Sequence, residues 1–421
     1  MKDSINTLDD FNFKGKTTLL RLDLNSPYDN VNNKLKDITR IKAAIPTIEE
    51  LYNKNAKLVL LTHQGGDLEY ENYTSTKLHS LVISELLGKP VKFIDDVCGP
   101  AARNEIKNLI NGDILMLDNV RFMAEELTLF ETKLKLTPQQ QAKTLVVSKL
   151  APLTDIYVCD AFAAAHRSQP TLVGFEELLP SAMGRLFEKE YEALSKIIVS
   201  PEKPTVFCLG GAKIEDAFDM MPKVLNDNIA DKILTSGLLA LVFMIAKGID
   251  IGLTSKELIL KKKLDIFFDL AKNILSNFQD KIILPLDFAY VSEGKRVEVL
   301  KEDLPINYLI SDIGSKTISL YKEELSKAKT IFINGPAGIF EKPETETGTK
   351  EIWLSAANSQ AYSVIGGGDS ISAVNKYNLK DKFSYVCTGG GAMVRFLSGE
   401  ELPVVKALKA SAVKFKNRIK G

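Results

Sequence analysis

Histidine, cysteine and tryptophan are scarce in this chain of 421 residues, which holds three, four and one of them. The cysteines, Cys98, Cys159, Cys208 and Cys387, lie far apart with no C-x-x-C pair. That spacing argues against a disulfide framework and against a structural zinc site. Cys159 and Cys208 sit in apolar runs, IYVCD and VFCLG, where buried thiols are expected, and a reduced, cytoplasmic setting fits. An excess of either charge is missing too. Lys+Arg and Asp+Glu both number 54, so overall balance gives no reason to expect a nucleic acid or membrane partner. Any anion site has to come from local clustering of arginine. Long apolar runs are also lacking: Leu238 to Ala246 falls well short of the ~20 residues needed to cross a bilayer and reads as a buried helix. The amino-terminal MKDSINTLDDFNFKGK has no apolar core, so no secretory signal is expected. Finally there is no G-x-x-x-x-G-K-[ST], which excludes an ordinary P-loop enzyme. No G-x-G-x-x-G follows the first strand, which argues against a dinucleotide-dependent dehydrogenase.

What is present is an alternation of short β-rich runs and helical stretches almost throughout. Thr17–Leu24, Lys57–Thr62, Val91–Ile94, Asp113–Leu117 and Asp155–Cys159 read as strands of a first half. Thr205–Leu209, Lys232–Thr235, Lys281–Leu284, Thr330–Ile333, Tyr362–Ile365 and Ser384–Cys387 read as strands of a second. Helical spacing marks Arg40–Tyr52 and Lys77–Leu87 between them. The fold class is therefore α/β, with two doubly wound, largely parallel-sheet domains joined by a connecting helix. The boundary is expected at 180–200, where a charged helical run from Arg185 to Ile198 precedes Ser200-Pro201-Glu202-Lys203-Pro204. Residues 120–143 and 285–312 read as long connections.

Open α/β sheets bind ligands beyond the carboxyl ends of their strands, and the reactive side chains fall there. Arg21, Arg40, His63, Arg121, His166 and Arg167 come from successive strand–helix junctions of the first half, with Asp23 and Asn25 closing the first strand. Guanidiniums grip phosphate and carboxylate bidentately, so their convergence would hold a small dianion. Taken singly, each arginine is better explained by solvation or a surface pair with Asp or Glu; placement of the set at several strand ends favours the anion site. In the second half the turns are glycine-rich. LGGAK (Leu209–Lys213) would bring backbone N–H groups to phosphate oxygens and Lys213 to the transferred phosphoryl. In GGGDS (Gly366–Ser370), Asp369 is either an N-cap or a magnesium ligand. TGGGA (Thr388–Ala392) offers further donors at a helix start. In NGPAGIFE (Asn334–Glu341), Glu341 is either a ribose acceptor or a solvated acid. Anion grips on one half and phosphate turns on the other read as a bilobal phosphotransferase that closes to react.

Together these segments resemble phosphoglycerate kinase over essentially the whole chain. RLDLNSP, DITRIKAAIPTI, LDNVRF, DAFAAAHRSQPTLVGF, LGGAKIEDA, INGPAGIFE, SVIGGGDS and TGGGAMVRFLSGEELPVVKAL occur in that family's order, and HQGG and AHRSQP resemble its archaeal branch. The resemblance implies reversible, Mg²⁺-dependent phosphoryl transfer between ATP and the carboxylate of 3-phosphoglycerate, giving ADP and 1,3-bisphosphoglycerate, by a hinge-bending cytoplasmic monomer. It implies an acid-substrate domain over 1–183, rejoined by 404–421, and a Mg-nucleotide domain over 184–403. On the acid side it implies Arg21, Asp23, Asn25, Arg40, His63, Arg121, His166 and Arg167, with Arg40 reaching the reacting carboxyl. On the nucleotide side it implies Gly211, Lys213, Asn334, Glu341, Gly366, Gly367, Gly368, Asp369 and Ser370, with Asp369 on the metal. Arg40, Lys213, Gly366 and Gly389 would serve the phosphoryl in flight.

The chain also departs from the family pattern. Gly66 stands where the family usually has arginine, a loss worth ~1.5–3 kcal/mol of acid binding if nothing replaces it. Ala217 replaces a second lysine and Gln169 a histidine, both archaeal-looking choices. Two alternatives stay open: a paralogue acting on another small carboxylate, and a nucleotide-binding protein without catalysis.

Overall fold

The computed structural model describes residues 5–29, 31–66 and 73–419. The first four residues of the amino-terminal segment and the last two of the returning segment lie outside them. The chain divides into two compact units, one running up to Tyr191 and taking in the segment from Glu401 onward, the other Glu192–Glu400. The division falls inside the helix Arg185–Ile198.

The strands of the first unit are β1 (Thr17–Arg21), β2 (Tyr28–Asp29), β3 (Lys34–Leu35), β4 (Lys57–Leu61), β5 (Lys92–Ile94), β6 (Ile114–Leu117), β7 (Ile156–Cys159) and β8 (Ser181–Met183). Six of them form a sheet in the order β5-β6-β4-β1-β7-β8, parallel throughout. Helices on both faces bury these strands, which is why TTLLR, KLVLL, ILML and IYVC read as nearly unbroken apolar runs. Leu20, Leu58, Leu60, Met116 and Val158 pack one face with Ile41, Ile48 and Leu51 of the helix Thr39–Asn53. The strand order reverses between β1 and β7, the place where ligands bind in such sheets.

The second unit holds β9 (Thr205–Leu209), β10 (Lys232–Thr235), β11 (Ile282–Ile283), β12 (Asp287–Ser292), β13 (Lys295–Leu300), β14 (Asp312–Ile313), β15 (Thr330–Asn334), β16 (Tyr362–Gly366) and β17 (Tyr385–Cys387). Its parallel sheet runs β11-β10-β9-β15-β16-β17, reversing between β9 and β15. The apolar helix Gly237–Ala246 is buried, as expected from its sequence. Trp353 is buried in the core of this unit.

Two expectations need correction. Residues 285–312 are not a plain connection: β12 and β13 form an antiparallel hairpin that β14 extends. Residues 120–143 carry short helical turns, among them Ala124–Glu126 and Thr128–Leu134. All four cysteines are buried thiols, and burial pushes Cys159 and Cys208 up to about 12. Among the described residues no helix is long and apolar enough to cross a membrane.

Candidate active site

In the first unit Arg21, Arg40, His63 and Arg121, four of the six expected cations, lie near enough to act on one another at the carboxyl ends of β1, β4 and β6. Arg40, in the first turn of its helix, donates from Nη1 to Asp23 Oδ1 at 2.8 Å. Burial alone would raise the Asp23 carboxyl, but Arg40 above all, with His63, Arg21 and the Asn25 N–H, outweighs it and holds it down to about 2. Asp23 is therefore a fixed anion that aims Arg40, whose side chain stays 42% exposed and open to a ligand. His63, buried beside them, is pushed down to about 3 by desolvation, with Arg21, Arg121 and Arg40 adding to the shift and Asp23 opposing it. The ring is thus neutral at physiological pH. Arg21 is fully buried. Its Nε donates to Thr171 Oγ1 at 3.0 Å, Nη1 to the Leu22 carbonyl, and Nη2 faces His63 Nδ1 at 3.3 Å.

The loops that carry these groups are stitched by amides. Asn25 Oδ1 accepts from the Gly65 N–H at 3.0 Å. Asn119 Oδ1 accepts from the backbone N–H groups of Gln64 and Arg121, both at 3.0 Å. Gln64 in turn donates to the Ser26 carbonyl at 2.8 Å. Arg121 lies over the Tyr73 ring and donates to its hydroxyl at 3.3 Å. Arg167 donates from Nη1 to Thr128 Oγ1 at 2.5 Å, and His166 beside it is half-buried. Gln64 and Tyr73 escaped the sequence reading. A glutamine beside a histidine and a lone tyrosine carry no charge signal, and their partners lie tens of residues away.

In the second unit the phosphate-type turns pack backbone on backbone at the reversal of the sheet. The N–H groups of Gly210 and Gly211 donate to the carbonyls of Asn334 and Pro336 at 2.9 and 2.7 Å. These two amides are spent on packing, which corrects the expectation that they face a phosphate. Gly335, at φ +88°, lies so close that a Cβ there would stand 2.2 Å from the Gly210 oxygen. Ser370 is buried, and its hydroxyl accepts from the Gly335 N–H at 2.8 Å, so its side chain supports the turn. The helix Gly368–Lys376 begins just beyond, and its first amides have no intrahelical partner. Asn334 Nδ2 is buried without a hydrogen-bond partner among the described residues. Lys213 stands exposed at the start of the helix Ile214–Asn226. Gly389 holds the matching position before the helix Gly390–Leu397.

Asp369 is not the cap of its helix, because Gly367 occupies that position and no side chain caps it. Its exposed carboxylate instead lines a cavity of about 270 Å³, together with Gly211 and Glu341. Phe288, Leu309, Ile310 and Phe340 supply apolar walls to that cavity, so the hairpin region first read as a connection builds part of it. One free carboxylate beside unpaired amides suits Mg²⁺, which prefers a carboxylate or two plus phosphate oxygens and water. Among the described residues no three acidic, histidine or cysteine side chains form a ready-made metal cage.

A family model described as phosphoglycerate kinase matches residues 8–400. The chain belongs to the phosphoglycerate kinase family. It is accordingly a phosphotransferase. It is similar to the phosphoglycerate kinase of Methanothermus fervidus, 45% identical over 403 residues that cover 96% of each chain. It is likewise 45% identical over 418 residues to that of Pyrococcus horikoshii, covering 98% of this chain and 99% of the other. The crystal structure of the Pyrococcus horikoshii phosphoglycerate kinase superposes with a TM-score of 0.87 at 44% identity, covering 98% of this chain and all of that one. The structure of phosphoglycerate kinase from Coxiella burnetii gives 0.81 at 30% identity, covering 96% and 98%. From the sequence, Gly66 stands out as a departure from the expected pattern. It lines a cavity of about 560 Å³ that Arg40, Lys36 and Asn25 also border.

Proposed function

We propose that this phosphoglycerate kinase family member transfers a phosphoryl group reversibly between Mg-ATP and the carboxylate of 3-phosphoglycerate, with the acid held in the first unit and the nucleotide in the second. The observation that carries the reading is the set of guanidiniums around Asp23 and His63 at the carboxyl ends of β1, β4 and β6. A small dianion needs such a set. Arg40, aimed by Asp23, would meet the reacting carboxylate. Asn25, His63, Arg121, His166 and Arg167 would surround the rest of the acid. In the second unit the cavity walled by Phe288, Leu309 and Phe340 would take the base, and Glu341 the ribose. Asn334 Nδ2 and the amides at Gly366, Gly367 and Gly368 would meet phosphate oxygens, with Asp369 holding Mg²⁺. When bound, the ion would neutralise polyphosphate charge.

The chemistry asks little of the protein beyond charge and placement. A carboxylate is already ionised at neutral pH, so the acceptor needs no general base. What it needs is neutralisation of crowded negative charge and in-line approach. Lys213 and the amides around Gly389 would supply that to the phosphoryl in transit, and Arg40 to the acceptor. A cytoplasmic monomer is the working form we propose.

A coupled assay with ATP, Mg²⁺ and 3-phosphoglycerate tests the reading. Wild-type activity should exceed that of Arg40→Ala at least a hundred-fold; equal rates would overturn it. A second reading, a bulkier carboxylate substrate, draws on the open cavity beside Gly66. A preference for such an acid over 3-phosphoglycerate in the same assay would select it.

A further inference from the structure

The burial of Arg21 assigns it a task other than touching a ligand. All of its side-chain nitrogens are engaged inside the protein, on Thr171 Oγ1, the Leu22 carbonyl and His63 Nδ1. Thr171 is itself clamped: its hydroxyl and backbone N–H donate to the Glu126 carboxylate at 2.8 and 2.7 Å. The guanidinium therefore sits in a relay Glu126–Thr171–Arg21–His63 that leaves it no freedom to turn.

A guanidinium has donors only and does not lose its proton, so the atom it faces must accept. His63 Nδ1 then carries no proton, and a neutral imidazole must carry it on Nε2. An imidazolium would set N–H against N–H. The charged groups around the ring argue the same way. Asp23 favours the cation, but Arg21, Arg40 and Arg121 oppose it together with burial. Nε2 makes no hydrogen bond among the described residues.

We infer that Arg21 is a positioning residue that locks His63 as the neutral Nε2–H tautomer, making His63 a hydrogen-bond donor rather than a cation towards the bound acid. This rests on the proposed acid site in the first unit. It explains how a histidine is kept among so many guanidiniums: as a neutral donor it recognises an anion oxygen without adding to their mutual repulsion. It also makes that contact insensitive to pH across the physiological range.

Nitrogen NMR of the ¹⁵N-histidine-labelled protein tests this directly. Only three histidines are present, so the ring is assigned by its loss in His63→Gln. In the wild type we expect a bare Nδ1 and a protonated Nε2, unchanged between pH 8 and 5. A protonated Nδ1 or a cationic ring anywhere in that range would overturn the proposal. In Arg21→Met the ring, still buried and neutral, should populate both tautomers, while the KM for the acid rises roughly ten-fold with a smaller change in kcat. A ring still locked as the single Nε2–H tautomer in that variant would also overturn it. Adding 3-phosphoglycerate to the wild type should move the Nε2 resonance. Turnover of the acid without that movement would defeat the inference and leave the kinase reading standing. Absence of both binding and turnover would instead remove the reading beneath it.

Discussion

Alanine at Gly335 and at Gly368 should separate the two uses of glycine in the nucleotide unit. A Cβ at Gly335 would stand 2.2 Å from the Gly210 oxygen and 2.5 Å from its carbon, and the residue sits at φ +88°. Both neighbours are backbone, so no rotamer change relieves the overlap. Left-handed strain costs about 1–2 kcal/mol and overpacking about 1–3 kcal/mol, giving a loss of roughly 2–5 kcal/mol. A Cβ at Gly368 meets nothing within 4 Å. At the first position of its helix, alanine should change stability by less than about 1 kcal/mol. If the bare amides there receive the polyphosphate, however, the methyl should weaken Mg-ADP binding about ten-fold, or 1.4 kcal/mol. The assay is convenient because Trp353, the single tryptophan, is buried in this unit. Its fluorescence in urea reports this unit's stability, and calorimetry reports Mg-ADP affinity. Gly335→Ala within about 0.5 kcal/mol of wild type would refute the packing argument. Gly368→Ala with unchanged affinity would refute the placement of the phosphates.

Other perturbations follow from named contacts. Lys213→Ala should lower kcat far more than it weakens nucleotide binding, because its charge serves the transition state; equal losses by steady-state kinetics and calorimetry would contradict that role. Arg40→Ala should also change acid stability. The lowered Asp23 carboxyl contributes stability that is present above its ordinary value near 3.9 and is lost as pH falls towards about 2. Without Arg40 that gain shrinks, so acid unfolding followed by circular dichroism should begin at higher pH. Arg296→Met removes the partner that donates to buried Asp312 at 2.8 Å. Asp312 is already raised to about 6 by burial, so its contribution falls as pH rises through that value. The variant should therefore lose about 3–5 kcal/mol at pH 8 and less at pH 5, as read from Trp353 in urea.

The parallel strands were legible because burial on both faces writes them as continuous apolar runs, and β9 and β10 match the expected bounds residue for residue. The hairpin β12–β13 was not, because KRVEVL is half-exposed along its length and its charges read as loop. β8, three residues long, offers too short a run to register. In the site, residue types at strand ends were visible but their orientation was not. Arg21 carries the same sequence signal as Arg40, yet it is sealed inside by Thr171, 150 positions away. Asp369 could be separated from a helix cap only once Gly367 was seen in that place. Ser370 reads as a phosphate ligand until its hydroxyl is found holding the Gly335 amide.

The account turns on a carboxylate oxygen taking the phosphoryl group. Phosphorus NMR of the product formed from ATP, Mg²⁺ and 3-phosphoglycerate labelled with ¹⁸O in the carboxylate tests it most directly. An acyl phosphate whose bridging oxygen carries the ¹⁸O isotope shift is the predicted result. Consumption of ATP with no acyl phosphate, or an acyl phosphate lacking the label at that bridge, would contradict it.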